Sequence, residues 1–309
     1  MNYWNPDICV YHGGCDDGFG AAWAIRKRWP NVQFIPGYYG KPFHSRVEWA
    51  NKNVLFVDFS TTRDALLAMM MEIPTDWPPA ASIVIIDHHK TAEDALKNFP
   101  QFDGSQEGLG NSIRMCAEHG HPAISVWFDM GQSGATMAWQ FAMQTNRQVD
   151  PCPEMLTYIE DRDLWRFAFG EKTKRFSAAL RTYEQDFDIW DGIAADPNEL
   201  ITQGKDILRA HQKNVKQIAE QSFQMTIRGH DVPCCNCQYH YASDVAHELL
   251  QRFPSAPFAA CWFMRDDKKL QFSLRSENHR IDVSEIAKSC GGGGHRNAAG
   301  FESDPKGWF

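Results

Sequence analysis

The chain of 309 residues has no apolar run approaching the roughly 18 residues that a membrane-spanning helix needs. Its first residues, MNYWNPDICVYHGG, lack a basic flank followed by an apolar stretch, so no secretion signal and a cytoplasmic location are expected. Positive charge is not in excess: 31 Lys and Arg against 39 Asp and Glu leave a formal net charge of −8. That excludes a global attraction to long nucleic acid, but leaves room for a local basic grip on a small phosphorylated compound or a few nucleotides. There is no internal repeat, no low-complexity tract and no regular cysteine framework. The nine cysteines are an odd number at irregular spacings, which points to reduced thiols. The eleven tryptophans lie mostly in helical-looking stretches such as AAWAIRKRW and ATMAWQF, where packing accounts for them. A 43% hydrophobic and 23% charged composition is that of an ordinary globular enzyme.

What the sequence does contain is a pattern of short apolar runs with polar stops. Ile8–Tyr11 stops at His12, Val54–Val57 at Asp58, and Ile83–Ile86 at Asp87-His88-His89. Helical stretches separate them, which predicts a parallel α/β sheet. Ligands in such sheets sit beyond the carboxyl ends of the strands, so the three stops are expected to converge on one edge. Imidazoles and carboxylates gathered there read as a site for divalent metal. Residues 100–120 are polar and Gly-rich and read as an irregular excursion. After a polar helical connector the composition changes to strand-like MTIRGHDVPCCNC, FAACWFM and KLQFSLRS with helix-like SDVAHELLQRF and DVSEIAKSC. The expected organisation is an N-terminal parallel-sheet domain over 1–195, a helical linker over 196–224 and a smaller α/β domain over 225–309. Two domains joined in this way are expected to leave a cleft for a small substrate.

Several constellations carry chemistry. In Asp87-His88-His89 one imidazole suits a metal and the other a substrate, with Asp87 able to set a ring tautomer. A polar loop after a buried strand is the plain alternative, weakened by His12 and Asp58 at equivalent positions. His12-Gly13-Gly14-Cys15-Asp16-Asp17-Gly18 places an imidazole and two carboxylates together, although Asp16 or Asp17 could simply complement a helix start. Glu160-Asp161-Arg162-Asp163 adds carboxylates that, taken alone, resemble a surface charge run. Gly291–Gly294 followed by His295 and Arg296 reads as an anion cradle completed by a helix start, and Arg275 as a bidentate phosphate grip. A flexible turn is the alternative for the glycines. His230, Cys234, Cys237 and His240 have compact zinc-like spacing, but Val232–Cys235 also reads as a buried strand, and the strand reading is preferred.

Taken together, YHGGCDDGFGAAW, FVDFS, IIDHHKT, SGA, YIEDRDLW, FSLRS, DVSEIAK and GGGGHRNAAGF resemble the DHH family of phosphoesterases carrying the DHH-associated C-terminal domain. The motifs occur in that family's order along almost the whole chain. The resemblance implies a cytoplasmic Mn2+-dependent phosphohydrolase with two ions, Mg2+ being the alternative. Its substrate would be a short single-stranded oligonucleotide or a small nucleotide. A pyrophosphatase or polyphosphatase, or a degenerate nucleotide-binding protein without activity, are the competing readings. It also implies roles: His12, Asp17, Asp58, His88 and Asp161 as metal ligands with Asp58 as bridge, His89 as a substrate-facing catalytic histidine with Asp87 beside it, and Arg275, Gly293, Gly294 and His295 as substrate grip. Asp163 is expected to pair instead with Arg162 or Arg166. One position departs from the family pattern: Cys15 stands where a first aspartate is usual, with Asp16 next to it as a substitute.

Overall fold

A computed structural model describes residues 4–39, 49–71, 78–145 and 151–306. The chain divides into two compact units, Met1–Ile207 and Leu208–Phe309. The first holds β1 (Ile8–His12), α1 (Asp16–Arg28), β2 (Gln33–Gly37), β3 (Asn53–Val57), α2 (Arg63–Met70), β4 (Ser82–Asp87), α3 (Lys90–Leu96), α4 (Gln106–Glu118), β5 (Ile124–Phe128), α5 (Gly134–Met143), α6 (Glu154–Asp163), α7 (Glu171–Leu180) and α8 (Phe187–Ala195). The division between the units falls inside α9 (Pro197–Ala219).

The five strands form an all-parallel sheet in the order β2-β1-β3-β4-β5. Their near-continuous apolar sequence follows from burial on both faces. Cys9, Leu55, Val57, Val84 and Ile86 pack with residues of α1, α5 and α6. The alternate residues Ile8, Val10, Val54, Phe56, Ile83 and Ile85 pack with Leu66 and Met69 of α2 and Leu96 of α3. The chain leaves β1 toward β2 on one side and returns to β3 on the other, so the topological switch lies between β1 and β3. In a doubly wound sheet that is where a ligand crevice opens.

Two elements differ from the sequence expectation. The stretch expected to be irregular contains α4, a 13-residue helix capped by Ser105 Oγ, which accepts from Gly108 N at 2.9 Å. Gly108 and Gly110 disfavour a helix by about 1 kcal/mol each relative to alanine. Burial of Leu109, Ser112 and Cys116 on one face overrides that penalty, and Ser112 Oγ is satisfied by Ser125 Oγ at 2.7 Å. The strand that supplies Ser125, β5, is likewise absent from the sequence expectation.

The second unit holds β6 (Phe223–Ile227), β7 (His230–Asn236), α10 (Tyr239–Arg252), β8 (Ala259–Met264), β9 (Leu270–Arg275), α11 (Val283–Ser289), β10 (Gly293–His295) and β11 (Ala298–Ser303). They build a six-stranded mixed sheet in the order β10-β11-β9-β8-β7-β6, with β7 and β8 parallel across α10. Strand alternation separates the cysteines considered for zinc. Cys234 packs in the core with Val232 and Phe272, whereas Cys235 and Cys237 pack with α10 in the other. His230 lies edge-on to Phe258, with ring centroids 5.9 Å apart. Zinc coordination by this set is thereby excluded, and Cys234 serves as a small apolar residue. Among the described residues no helix is long and apolar enough to cross a membrane.

Candidate metal centre

The carboxyl ends of β1, β3 and β4 meet at the switch point. His12 is the last residue of β1, Asp58 follows β3, and Asp87-His88-His89 closes β4. Asp58 adopts a left-handed backbone with φ 52°, uncommon for a residue with a side chain, and donates its N–H to Ile86 O at 3.0 Å. Its carboxylate is buried at 1% exposure. Oδ2 lies 3.5 Å from His12 Nδ1, while Oδ1 lies 3.0 Å from His88 Nε2. That second contact is short but not aligned as a hydrogen bond, and Asp58 Oδ1 is a buried oxygen without a hydrogen-bond partner among the described residues. His88 Nε2 is also 3.5 Å from Asp17 Oδ2 and 3.7 Å from Asp163 Oδ2.

Two sets of donors within this arrangement converge: His12, Asp58 and His89, and Asp17, Asp58 and His88, the ligand atoms of each set lying within 4.8 Å of one another. Asp58 belongs to both sets. The donors are nitrogen and oxygen, and the orphan Asp58 oxygen is what an ion would satisfy. The residues therefore fit divalent metal.

The carboxylates and imidazoles crowded here shift one another's protonation. Burial pushes His88 toward neutrality, yet the carboxylates of Asp58, Asp163 and Asp17 around it raise its pKa to about 10. Burial also raises Asp17 well above the usual carboxylate range, reinforced by Asp58 and Asp163. For Asp58 burial acts in the same direction, but contacts with His12 and His88 dominate and hold it well below that range.

Backbone packing explains the motif residues that are not donors. Asp17 accepts from Gly134 N at 2.7 Å and Ala135 N at 3.0 Å, the opening turn of α5. A side chain at Gly134 would put its Cβ 2.4 Å from Asp58 Cβ, so the Ser-Gly-Ala segment needs glycine for this approach. Likewise a Cβ at Gly18 would sit 2.1 Å from His12 O. Asp87, wholly buried, accepts from His88 N at 2.7 Å and binds His89 Nδ1 at 2.7 Å, with Ser60 Oγ on its second oxygen. It thereby orients the His89 ring.

One predicted ligand faces elsewhere. Asp161 is buried, but its Oδ1 accepts from Ala168 N at 2.7 Å and its Oδ2 from Phe169 N at 3.3 Å and from Thr173 Oγ1. It anchors the loop between α6 and α7. Asp163, expected to pair with a neighbouring base, instead reaches His88. The two carboxylates stand about 200° apart around a helix, and the rotation of α6 against the sheet decides which one meets the strand ends. No local sequence signal carries that information. Glu160 is structural as well: it accepts from Ser133 N at 3.1 Å and pairs with Arg166 at 3.0 Å. Asp16 turns to Arg181, 3.8 Å away, while Cys15 Sγ lies 3.8 Å from Asp58 Oδ2.

In the second unit, the register His295↔Ala298↔Arg275 aligns the predicted grip residues across β10, β11 and β9. Arg275 donates from Nη2 to Ser243 Oγ at 2.6 Å and from Nη1 to Leu274 O at 2.8 Å. The glycine run opens a hairpin, not a helix, so no helix start contributes charge there. A Cβ at Gly294 (φ 138°) would meet Ala298 O at 2.6 Å, so this glycine permits close strand approach. Arg296 is held at 3.4 Å by Asp282.

Residues 240–306 match the DHHA1 domain family. Uncharacterized protein R106 of Acanthamoeba polyphaga mimivirus is 28% identical over 318 residues, covering 96% of this chain and 67% of that protein. A solved structure described as a member of the s1p family of ribosomal proteins, PF0399 DHH domain, superposes with a TM-score of 0.51 at 12% identity, covering 96% of this chain and 82% of the other. At that identity the likeness is one of fold. RecJ from Thermus thermophilus, solved in complex with Mn2+, gives 0.48 at 14% identity, covering 97% of this chain and 50% of RecJ.

Proposed function

We propose that the chain, whose residues 240–306 match the DHHA1 domain family, is a metal-dependent phosphohydrolase of the DHH type. The observation that carries the reading is Asp58: buried, in a left-handed backbone, shared by two converging donor sets, and with an oxygen that no hydrogen bond among the described residues satisfies. His12 would serve one ion and Asp17 with His88 the other, with Asp163 in the place first expected of Asp161. Mn2+ or Mg2+ bound there would supply charge neutralisation at a phosphoryl oxygen and a water of lowered pKa. His89, anchored through Nδ1 to Asp87, would hold a phosphoryl oxygen of the substrate in a fixed orientation. Arg275 and the Gly293-Gly294-His295 segment would bind the remainder of the substrate.

The proposed substrates are short single-stranded oligonucleotides or small nucleotides, cut at a phosphodiester or a terminal phosphate. A net charge of −8 supports a short substrate over a long polyanion. Turnover should be measured on dinucleotides to pentanucleotides, cyclic dinucleotides and pyrophosphate, with Mn2+ or Mg2+. Cleavage of the oligonucleotides or nucleotides agrees with the proposal. Activity on pyrophosphate alone moves the assignment to a polyphosphate hydrolase. Tight nucleotide binding without turnover, indifferent to Asp58→Ala, makes the chain a binding protein.

A further inference from the structure

The loop between α6 and α7 carries aromatic side chains that lie outside the cores. Trp165 and Phe167 both adopt a left-handed backbone, at φ 55° and 49°, a region that bulky residues rarely enter. Among the described residues, neither belongs to the two hydrophobic cores of the first unit or to the partly buried residues packed on them. They meet each other instead, edge to face with ring centroids 5.0 Å apart, and both are only partly buried. Phe169, two residues on, is 47% exposed.

Cations lie against these rings. Arg162 Cζ sits 4.2 Å from the centre of the Trp165 ring and 5.5 Å from that of Phe167, and Lys174 Nζ lies 5.4 Å from that of Phe167. Residues 162–181 hold six Lys and Arg against only Asp163 and Glu171, in a chain whose net charge is −8. The loop is firmly held. Asp161 accepts from Ala168 N and Phe169 N through its side chain and from Arg166 N and Phe167 N through its carbonyl. Arg166 donates to Glu160 Oε1 and to Gly131 O. The loop also starts at the strand-end cluster: Asp163, 3.7 Å from His88, precedes Trp165 by two residues, at most about 7 Å of chain.

We propose that this loop binds a single-stranded oligonucleotide, one base stacking on Trp165 and the adjacent phosphates held by Arg162, Lys172 and Lys174. The proposal rests on the phosphohydrolase reading above and adds a place for a nucleotide beside the one cut. Bases need a π face and phosphates need a cation, and the loop offers both within a few residues. An acidic peptide would use the cations and leave the indole without a role. Two aromatic residues in a costly backbone, fixed by hydrogen bonds outside the core, are what a preformed stacking platform requires.

The test uses the full chain with metal removed by EDTA, so that binding is read apart from cleavage. Calorimetry measures the affinity of wild type, Trp165→Phe and Trp165→Leu for a single-stranded pentanucleotide, for the same strand with abasic positions, and for an acidic peptide of equal charge. Wild type should bind the intact strand about tenfold or more tighter than the abasic one, as base–aromatic stacking allows. Trp165→Phe should keep most of that preference and Trp165→Leu should lose it. A pentanucleotide carrying 5-iodouracil, irradiated on the wild type, should crosslink within residues 165–169, a readout that does not depend on a variant folding. Equal affinity for intact and abasic strands, a preference that survives in Trp165→Leu, or crosslinks only elsewhere overturn the proposal. Tighter binding of the acidic peptide also overturns it and makes the loop a protein-docking surface. Because these arms need no metal, their failure leaves the phosphohydrolase reading standing. Absence of metal-dependent turnover with the base preference intact removes that reading and leaves the binding site.

Discussion

Replacing Asp161 and Asp163 separately by asparagine distinguishes a structural carboxylate from one placed at the proposed metal centre. Asp161 is 4% exposed and its two oxygens accept three hydrogen bonds, from Ala168 N, Phe169 N and Thr173 Oγ1. In Asp161→Asn one oxygen becomes an amide donor, so one or two of these bonds to a charged acceptor are lost. At about 1.5–3 kcal/mol per bond the loss is roughly 2–5 kcal/mol. Against a total stability of about 5–15 kcal/mol that is large. With a urea m-value of about 1–3 kcal/mol/M, the unfolding midpoint should fall by about 1 M or more. Asp163 keeps 30% of its side chain exposed and contributes charge beside His88. Asp163→Asn should therefore stay within about 0.5 kcal/mol of wild type while Mn2+ affinity drops by about tenfold or more. Urea unfolding followed by circular dichroism gives the first quantity and calorimetric titration the second. If Asp161→Asn lost Mn2+ at unchanged stability while Asp163→Asn was silent, the placement of α6 derived above would be wrong.

Three further outcomes are expected. Gly134→Ala forces a methyl against Asp58 and should destabilise by about 1–3 kcal/mol while weakening Mn2+ binding, measured by thermal melting with and without the ion. Asp87→Asn releases the His89 ring and should lower kcat by about 10- to 100-fold with a smaller change in KM, read from steady-state kinetics on a cleaved dinucleotide. In metal-free protein the pKa of His88 rises from 6.5 to about 10 on folding, so its stabilising contribution is complete below the lower value and lost as pH rises toward the upper one. The melting temperature of the metal-free chain should accordingly decline across that window, and saturating Mn2+, which on the proposed reading would take the place of the His88 proton, should flatten the decline.

Some of this cluster is legible in the amino-acid sequence. His12, Asp58 and the Asp87-His88-His89 run stand where apolar strands stop, and a parallel sheet brings strand ends to one edge. Asp17 and Gly18 follow from the same turn. The choice between Asp161 and Asp163 was not legible, nor was α4, whose glycines and polar residues conceal one buried stripe. The glycine run near the C-terminus suggested a nest before a helix and proved to be a hairpin. Glycine marks that a backbone must come close to something, without saying to what.

Strand ends, periodicity and residue chemistry were properties of the amino-acid order alone, because side-chain alternation and short apolar runs are local. That order determined the α/β class, the parallel sheet and most of the side chains gathered at the strand ends. The tertiary structure decided which carboxylate of α6 turns inward, that Asp58 is shared by both donor sets, and that Cys15 shares its oxygen with His12. Those outcomes depend on helix rotation and packing against a sheet assembled from distant segments, and no window of neighbouring residues contains that information.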